Sequence, residues 1–197
     1  MNPFDRVHIV FLLDRSGSMT SLREAAVAGL NAFLAHQRRL APDATATVVL
    51  FAEVAQTVCV NTPLSEAHLE LSDYVPGGRT ALVDAVGSTI DLVGLRIARL
   101  APDDRPGRVL FAILTDGEEN ASRGYTALDV QWRIRRQTEI YGWEFLFLGA
   151  PRSWSAQARE LGIPLEDALP FAHTEDGIRI ALADAAQSFA QRLGWRA

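Results

Sequence analysis

Three near-continuous apolar runs constrain this chain most. They are Val7-His8-Ile9-Val10-Phe11-Leu12-Leu13, Val109-Leu110-Phe111-Ala112-Ile113-Leu114 and Trp143-Glu144-Phe145-Leu146-Phe147-Leu148. Each reads as a strand buried on both faces, the pattern of a parallel sheet covered by helices. Amphipathic segments lie between them. Leu22, Ala26, Leu30, Phe33 and Leu34 recur at helical spacing and predict a helix over roughly 20–40. Leu82, Val86, Ile90, Val93 and Ile97 predict a second. Thr126 with Asp129 resembles a capping box opening a helix that runs to about Tyr141. A short helix near 154–161 and a short strand near Ala168 to Phe171 follow. Ile178, Ala181, Leu182, Ala185, Phe189 and Leu193 line a last helix, with Thr174 as its candidate cap. Two β-rich runs, Thr45 to Phe51 and Gln56 to Asn61, have a very short connection and read as an antiparallel hairpin. The expectation is one α/β domain over residues 1–197, with a mostly parallel sheet and helices on both faces.

Composition excludes several chemistries. All 19 basic residues are arginine, so no lysine is present for a P-loop, a Schiff base or general-base catalysis. The single cysteine, Cys59, rules out an intramolecular disulfide framework and a multi-cysteine zinc site, and reads as a small buried hydrophobe. A net charge of −5 argues against nucleic acid or an anionic membrane as partner. No apolar run approaches the roughly 20 residues of a membrane span, and the first run has no cleavage site after it. The expected location is the cytoplasm.

The polar residues that stand out lie where the strands end. The first buried strand ends in Asp14-Arg15-Ser16-Gly17-Ser18, and the second in Thr115-Asp116-Gly117. Between them, Pro76-Gly77-Gly78-Arg79-Thr80 forms a turn before a helix. Ligands of open α/β sheets bind outside the carboxyl ends of the strands, so both aspartates can face one crevice. Carboxylate and hydroxyl oxygens suit a hard cation such as Mg²⁺, Mn²⁺ or Ca²⁺. Each piece also has an ordinary structural reading. The aspartates can cap loops. Ser16, Ser18 and Thr80 can cap helices.

The coincidence of these pieces, in this order, resembles the von Willebrand factor A domain family over nearly the whole chain. Asp14-Arg15-Ser16-Gly17-Ser18 matches its Asp-x-Ser-x-Ser motif, Thr80 its separate metal-site threonine, and Asp116 its last motif element. The bacterial, stand-alone members look most similar, through Leu114-Thr115-Asp116-Gly117-Glu118-Glu119-Asn120-Ala121-Ser122 and Tyr141-Gly142-Trp143-Glu144-Phe145-Leu146-Phe147-Leu148-Gly149. The resemblance implies a three-layer, Rossmann-like fold with strand order 3-2-1-4-5-6 and an antiparallel third strand at one edge. It also implies a metal-ion-dependent adhesion site formed by Asp14, Ser16, Ser18, Thr80 and Asp116. Mg²⁺ is the favoured ion, because the ligand set is small and partly neutral. The implied function is non-enzymatic protein binding, in which an Asp or Glu of a partner completes the metal's shell. Similar family members often work beside an AAA-type ATPase or within a larger assembly.

The competing expectation is a Mg²⁺-dependent phosphatase or phosphotransferase with Asp14 as nucleophile. Aspartyl-phosphate enzymes of this fold class resemble Asp-x-Asp-x-Thr followed by a lysine. Here Ser16 stands in place of the second aspartate and lysine is missing. No Gly-x-Ser-x-Gly elbow surrounds Ser16 or Ser18, which disfavours a serine hydrolase. Arg15 and Arg79 either hold an acidic partner group or offset the acidic loop. Glu118 and Glu119 read as a solvated loop rather than as supports for the site. His8, His36, His68 and His173 lack metal-ligand spacing. Arg133, Arg135 and Arg136 read as the wet face of a helix. Trp132, Trp143, Trp154 and Trp195 read as core or edge packing, with Trp154 also placed to line the site.

Overall fold

In the first strand, β1 (Val7–Asp14), alternate side chains enter two different cores, and every residue is buried. Val7, Ile9, Phe11 and Leu13 pack with α1 (Arg23–Leu40) and α5 (Glu175–Arg192), whereas Val10 and Leu12 face the opposite layer. That layer contains α2 (Leu82–Arg99), α3 (Ala127–Tyr141) and α4 (Trp154–Leu161). A strand apolar on both sides can satisfy both only between two helical layers. The computed structural model describes residues 6–192 and 194. Leu193 and Trp195 therefore lie outside the described residues.

The remaining strands are β2 (Thr45–Phe51), β3 (Ala55–Pro63), β4 (Arg108–Thr115), β5 (Glu144–Gly149) and β6 (Ala168–Pro170). Their order in the sheet is β3-β2-β1-β4-β5-β6, and β3 alone pairs antiparallel. This is the three-layer α/β architecture expected above. The two edges differ in kind. β3 is mostly exposed or half-buried, its register with β2 shifts twice, and Asn61 adopts φ +47°. β6 is only three residues long and ends in Pro170.

Local signals place most helix ends where expected. Thr126 and Asp129 form a reciprocal capping box on α3. Gly142 and Gly162 end α3 and α4 with left-handed φ of +66° and +75°. Thr174 Oγ1 accepts the amide of Gly177 and so caps α5. The expected helix over 20–40 departs at its start. Gly17–Leu22 is a 3₁₀ segment that leads into α1. No helix of the described residues is long and apolar enough to cross a membrane.

Trp143 joins the core as expected, but Trp132 is half exposed on α3. Trp154 is partly buried against the α2–α3–α4 core. Arg135 and Arg136 are exposed, whereas Arg133 is not a free wet-face residue. Its guanidinium pairs with Asp91 at 2.9 Å and lies over the Tyr125 ring, which lends that cation both charge and apolar cover. Cys59 is buried, with Sγ 3.6 Å from the His68 carbonyl.

Candidate metal centre

β1 and β4 are neighbours with Leu13 opposite Leu114, so Asp14 and Thr115 leave the sheet side by side. Asp14 is fully buried. Its Oδ2 accepts the Thr115 hydroxyl at 2.5 Å, and its Oδ1 accepts the Ser16 amide at 2.6 Å. Burial pushes the Asp14 carboxyl up to about 6, opposed by the hydrogen bonds from Thr115 and Ser16 and reinforced by the charge of Asp116. No arginine of the described residues forms an ion pair with Asp14.

The loop after β1 holds the next donors. Ser16 Oγ and Ser18 Oγ are 3.1 Å apart, and Ser18 Oγ donates to Asp116 Oδ1 at 2.7 Å. Ser16 has N-cap backbone geometry for the 3₁₀ turn, yet its side chain caps nothing. The hydroxyls face the carboxylates instead. Behind Asp14, the fully buried Tyr74 donates its hydroxyl to the Asp14 carbonyl oxygen. That residue gave no signal in the sequence.

Thr80 reaches the same place through a second loop. Gly17 N donates to Gly78 O at 3.0 Å and Gly77 N donates to Arg15 O at 2.8 Å, so the two loops are joined backbone to backbone. Gly78, at φ +76°, makes the turn. Thr80 is buried and does not cap α2. The α2 amides have other acceptors: Val83 N donates to Glu119 Oε2 at 2.8 Å, and Asp84 N to Ser122 Oγ at 3.0 Å. Glu119 also accepts the amides of Ala121 and Ser122. Its reading as part of a solvated loop is therefore corrected, because burying the α2 start leaves amides that need an acceptor. Glu118 remains exposed. Asn120 and Thr80 exchange hydrogen bonds, Thr80 N to Asn120 Oδ1 and Asn120 N to Thr80 O, both 3.0 Å.

Gly117 shows how tightly these parts converge. A Cβ placed there would lie 2.5 Å from Thr80 Oγ1 and 3.4 Å from Asp14 Oδ2. All five expected residues, Asp14, Ser16, Ser18, Thr80 and Asp116, thus meet at the carboxyl edge of β1 and β4. Among the described residues no three His, Cys, Asp or Glu side chains gather as a metal-binding group. A cation held here would depend on the hydroxyls as well as on the carboxylates. A fully buried carboxylate without a paired cation, beside neutral oxygen donors, fits a hard dication.

Around this cluster, Arg79 pairs with Glu53 at 3.2 Å, and Arg15 donates to the Val75 carbonyl at 3.3 Å. Gln157 of α4 donates to the Gly117 carbonyl at 2.8 Å. His173, from the loop between β6 and α5, places Nε2 2.7 Å from Asp116 Oδ2. Its spacing in the sequence carried no sign of this.

Neither a protein-family model nor a curated protein sequence matches the chain. Solved structures do. Proximal thread matrix protein 1 from the mussel byssus is similar at TM-score 0.66 and 16% identity, covering 93% of this chain and 46% of its own. A von Willebrand factor type A protein from Catenulispora acidiphila is similar at TM-score 0.65 and 16% identity, over 96% of this chain and 43% of its own. BatB from Bacteroides thetaiotaomicron is similar at TM-score 0.52 and 16% identity, over 92% and 99%. The chain spans less than half the length of the first two. The fold is of von Willebrand factor A type. The mussel protein is also known with a zinc-occupied metal-ion-dependent adhesion motif.

Proposed function

We propose that this chain is a divalent-metal-dependent protein-binding module of the cytoplasm, and not an enzyme. One observation carries the reading: the buried, unpaired carboxylate of Asp14 lies among hydroxyls from two loops, Ser16 and Ser18 on one and Thr80 on the other, with Asp116 reaching in from a third. Asp14, Ser16, Ser18, Thr80 and Asp116 would hold the ion, with Mg²⁺ favoured over Mn²⁺ and Ca²⁺ by the few, all-oxygen donors. The zinc-occupied motif of a protein with the same fold supports divalent binding at such a place. When bound, the ion supplies a Lewis-acidic position, because two carboxylates neutralise it without excess and the three hydroxyls are neutral. An Asp or Glu side chain of a partner protein is the natural external ligand, since it brings a hard oxygen and a negative charge.

The phosphoryl-transfer alternative needs a free cation to offset developing charge. Arg79 is paired with Glu53 and no lysine exists, which leaves that reading only Arg15, held by a hydrogen bond to the Val75 carbonyl. The test is a pull-down from the native cell with and without chelator, followed by calorimetry of the captured pair. Binding should require the cation and weaken strongly in Asp14→Ala and Thr80→Ala. Affinity unchanged by chelation places the partner elsewhere, and turnover of an aryl phosphate abolished by Asp14→Asn restores the enzyme reading.

A further inference from the structure

Asp116 differs from Asp14 in how it is held. Asp14 ends a strand and has two donors from its own surroundings, the Ser16 amide and the Thr115 hydroxyl. Asp116 lies one residue beyond the end of β4, where no ladder constrains it. Its side chain is nonetheless fully covered. Two groups grip it: Ser18 Oγ on Oδ1 at 2.7 Å, and His173 Nε2 on Oδ2 at 2.7 Å. Among the described residues His173 is its one nitrogen donor.

The histidine comes from 57 residues away and sits on a constrained loop. Phe171 N donates to Gly149 O at 3.0 Å on one side. On the other, Thr174 caps α5, and Gly177 lies so close that a Cβ would fall 2.1 Å from the Ala172 carbonyl oxygen. The imidazole itself is 43% exposed, so it is not there to fill a core.

We infer that His173 is a positioning residue for the metal centre, holding Asp116 by Oδ2 so that Oδ1 stays turned toward Ser18 and the other donors. The inference rests on the metal-binding reading above. His173 stands outside the ligand set, since its Nε2 donates a proton to Asp116 Oδ2 and so presents no lone pair to the ion there. Carboxylate ligands are commonly oriented by such an outer hydrogen bond, and its loss typically weakens metal affinity about 10–100-fold. The donated N–H also draws charge from Asp116, which leaves more of the ion's charge for an external acidic group.

Mn²⁺ titration by calorimetry, with spin-resonance measurement of the bound ion, tests this. His173→Leu should bind Mn²⁺ about 10–100-fold more weakly than wild type. His173→Gln, whose amide N–H reaches a similar point, should recover most of the loss. The metal-free urea midpoints of all three should coincide, which separates positioning from a role in folding. Nitrogen hyperfine coupling to Mn²⁺ should be missing in wild type; its presence makes His173 a direct ligand and overturns the inference. Equal affinity in His173→Leu and wild type also overturns it, as does equal loss in the Leu and Gln variants. A wild-type protein that takes up no Mn²⁺ is a distinct result, and defeats the metal reading together with this one.

Discussion

Asp14 and His8 stand near opposite ends of one strand, and burial drives their titrations in opposite directions. The Asp14 carboxyl is pushed up from 3.8 to about 6, and the His8 imidazole is pulled down from 6.5 to about 4. Both ring nitrogens of His8 are engaged, with Thr45 Oγ1 at 2.8 Å and Thr47 Oγ1 at 3.1 Å. For Asp14 the folded state binds the proton more tightly than the unfolded state. Its contribution therefore favours folding at low pH and is lost as pH rises through about 4 to 6. For His8 the unfolded chain takes the proton first, so stability is full above about 6.5 and is lost as pH falls toward 4. Each is worth about 3 kcal/mol at 1.36 kcal/mol per pH unit, so in chelated protein they offset one another across their shared window. Asp14→Asn should unmask His8: its urea midpoint should fall between pH 7.5 and 4.5, while at pH 7.5 it exceeds wild type by up to about 3 kcal/mol. His8→Gln should show the reverse slope. With metal present, wild-type affinity should fall as pH drops below about 6, because the proton competes for Asp14.

At the scale of elements, the segment from Asp116 to Thr126 works as a clamp on the start of α2. Glu119 and Ser122 take its first amides, and both Asp84 carboxylate oxygens accept amides of Arg123, Gly124 and Tyr125 in return. Glu119→Ala should cost about 1–2 kcal/mol, read as a lower thermal midpoint without metal. Gly117→Ala should act differently. Its Cβ meets the Thr80 hydroxyl at 2.5 Å, so cation binding by calorimetry should vanish while the far-ultraviolet dichroism of the fold persists. These contacts also mark what could be read from sequence and what could not. Strands β1, β4 and β5, the Thr126 capping box and the Thr174 cap are written in residues a few positions apart, so periodicity and spacing reveal them. Glu119 meets Val83 across 36 residues, His173 meets Asp116 across 57, and Tyr74 meets Asp14 across 60. Such pairs exist only once the sheet has set its strand order. That Asp14, Ser16, Ser18, Thr80 and Asp116 lie together was legible because three short motifs carry them. The groups that hold those donors in place were not, since a lone Glu, His or Tyr looks the same whether solvated or engaged.

At the scale of the whole molecule, the proposed metal binding makes ligation and folding one equilibrium. The two aspartates are brought together only in the folded state, so a cation held by them would bind that state alone. At 100 times its dissociation constant it adds about 2.7 kcal/mol. For a chain of this size that raises the melting temperature by about 5–10 °C. Asp116→Ala should erase the increment, seen by scanning calorimetry with and without Mg²⁺, and still fold, because the two cores of the sheet do not include Asp116. The flanks of that sheet govern a separate property, its behaviour when crowded. A β-sheet can recruit strands from other chains wherever a long, straight border offers a row of free amides and carbonyls. Here one border is kinked by two register shifts, and the other runs for three residues before proline closes it. Neither is a usable template for fibril growth. Concentrated native protein should therefore stay free of thioflavin-binding fibres, and fibre formation should begin only under conditions that first unfold the chain.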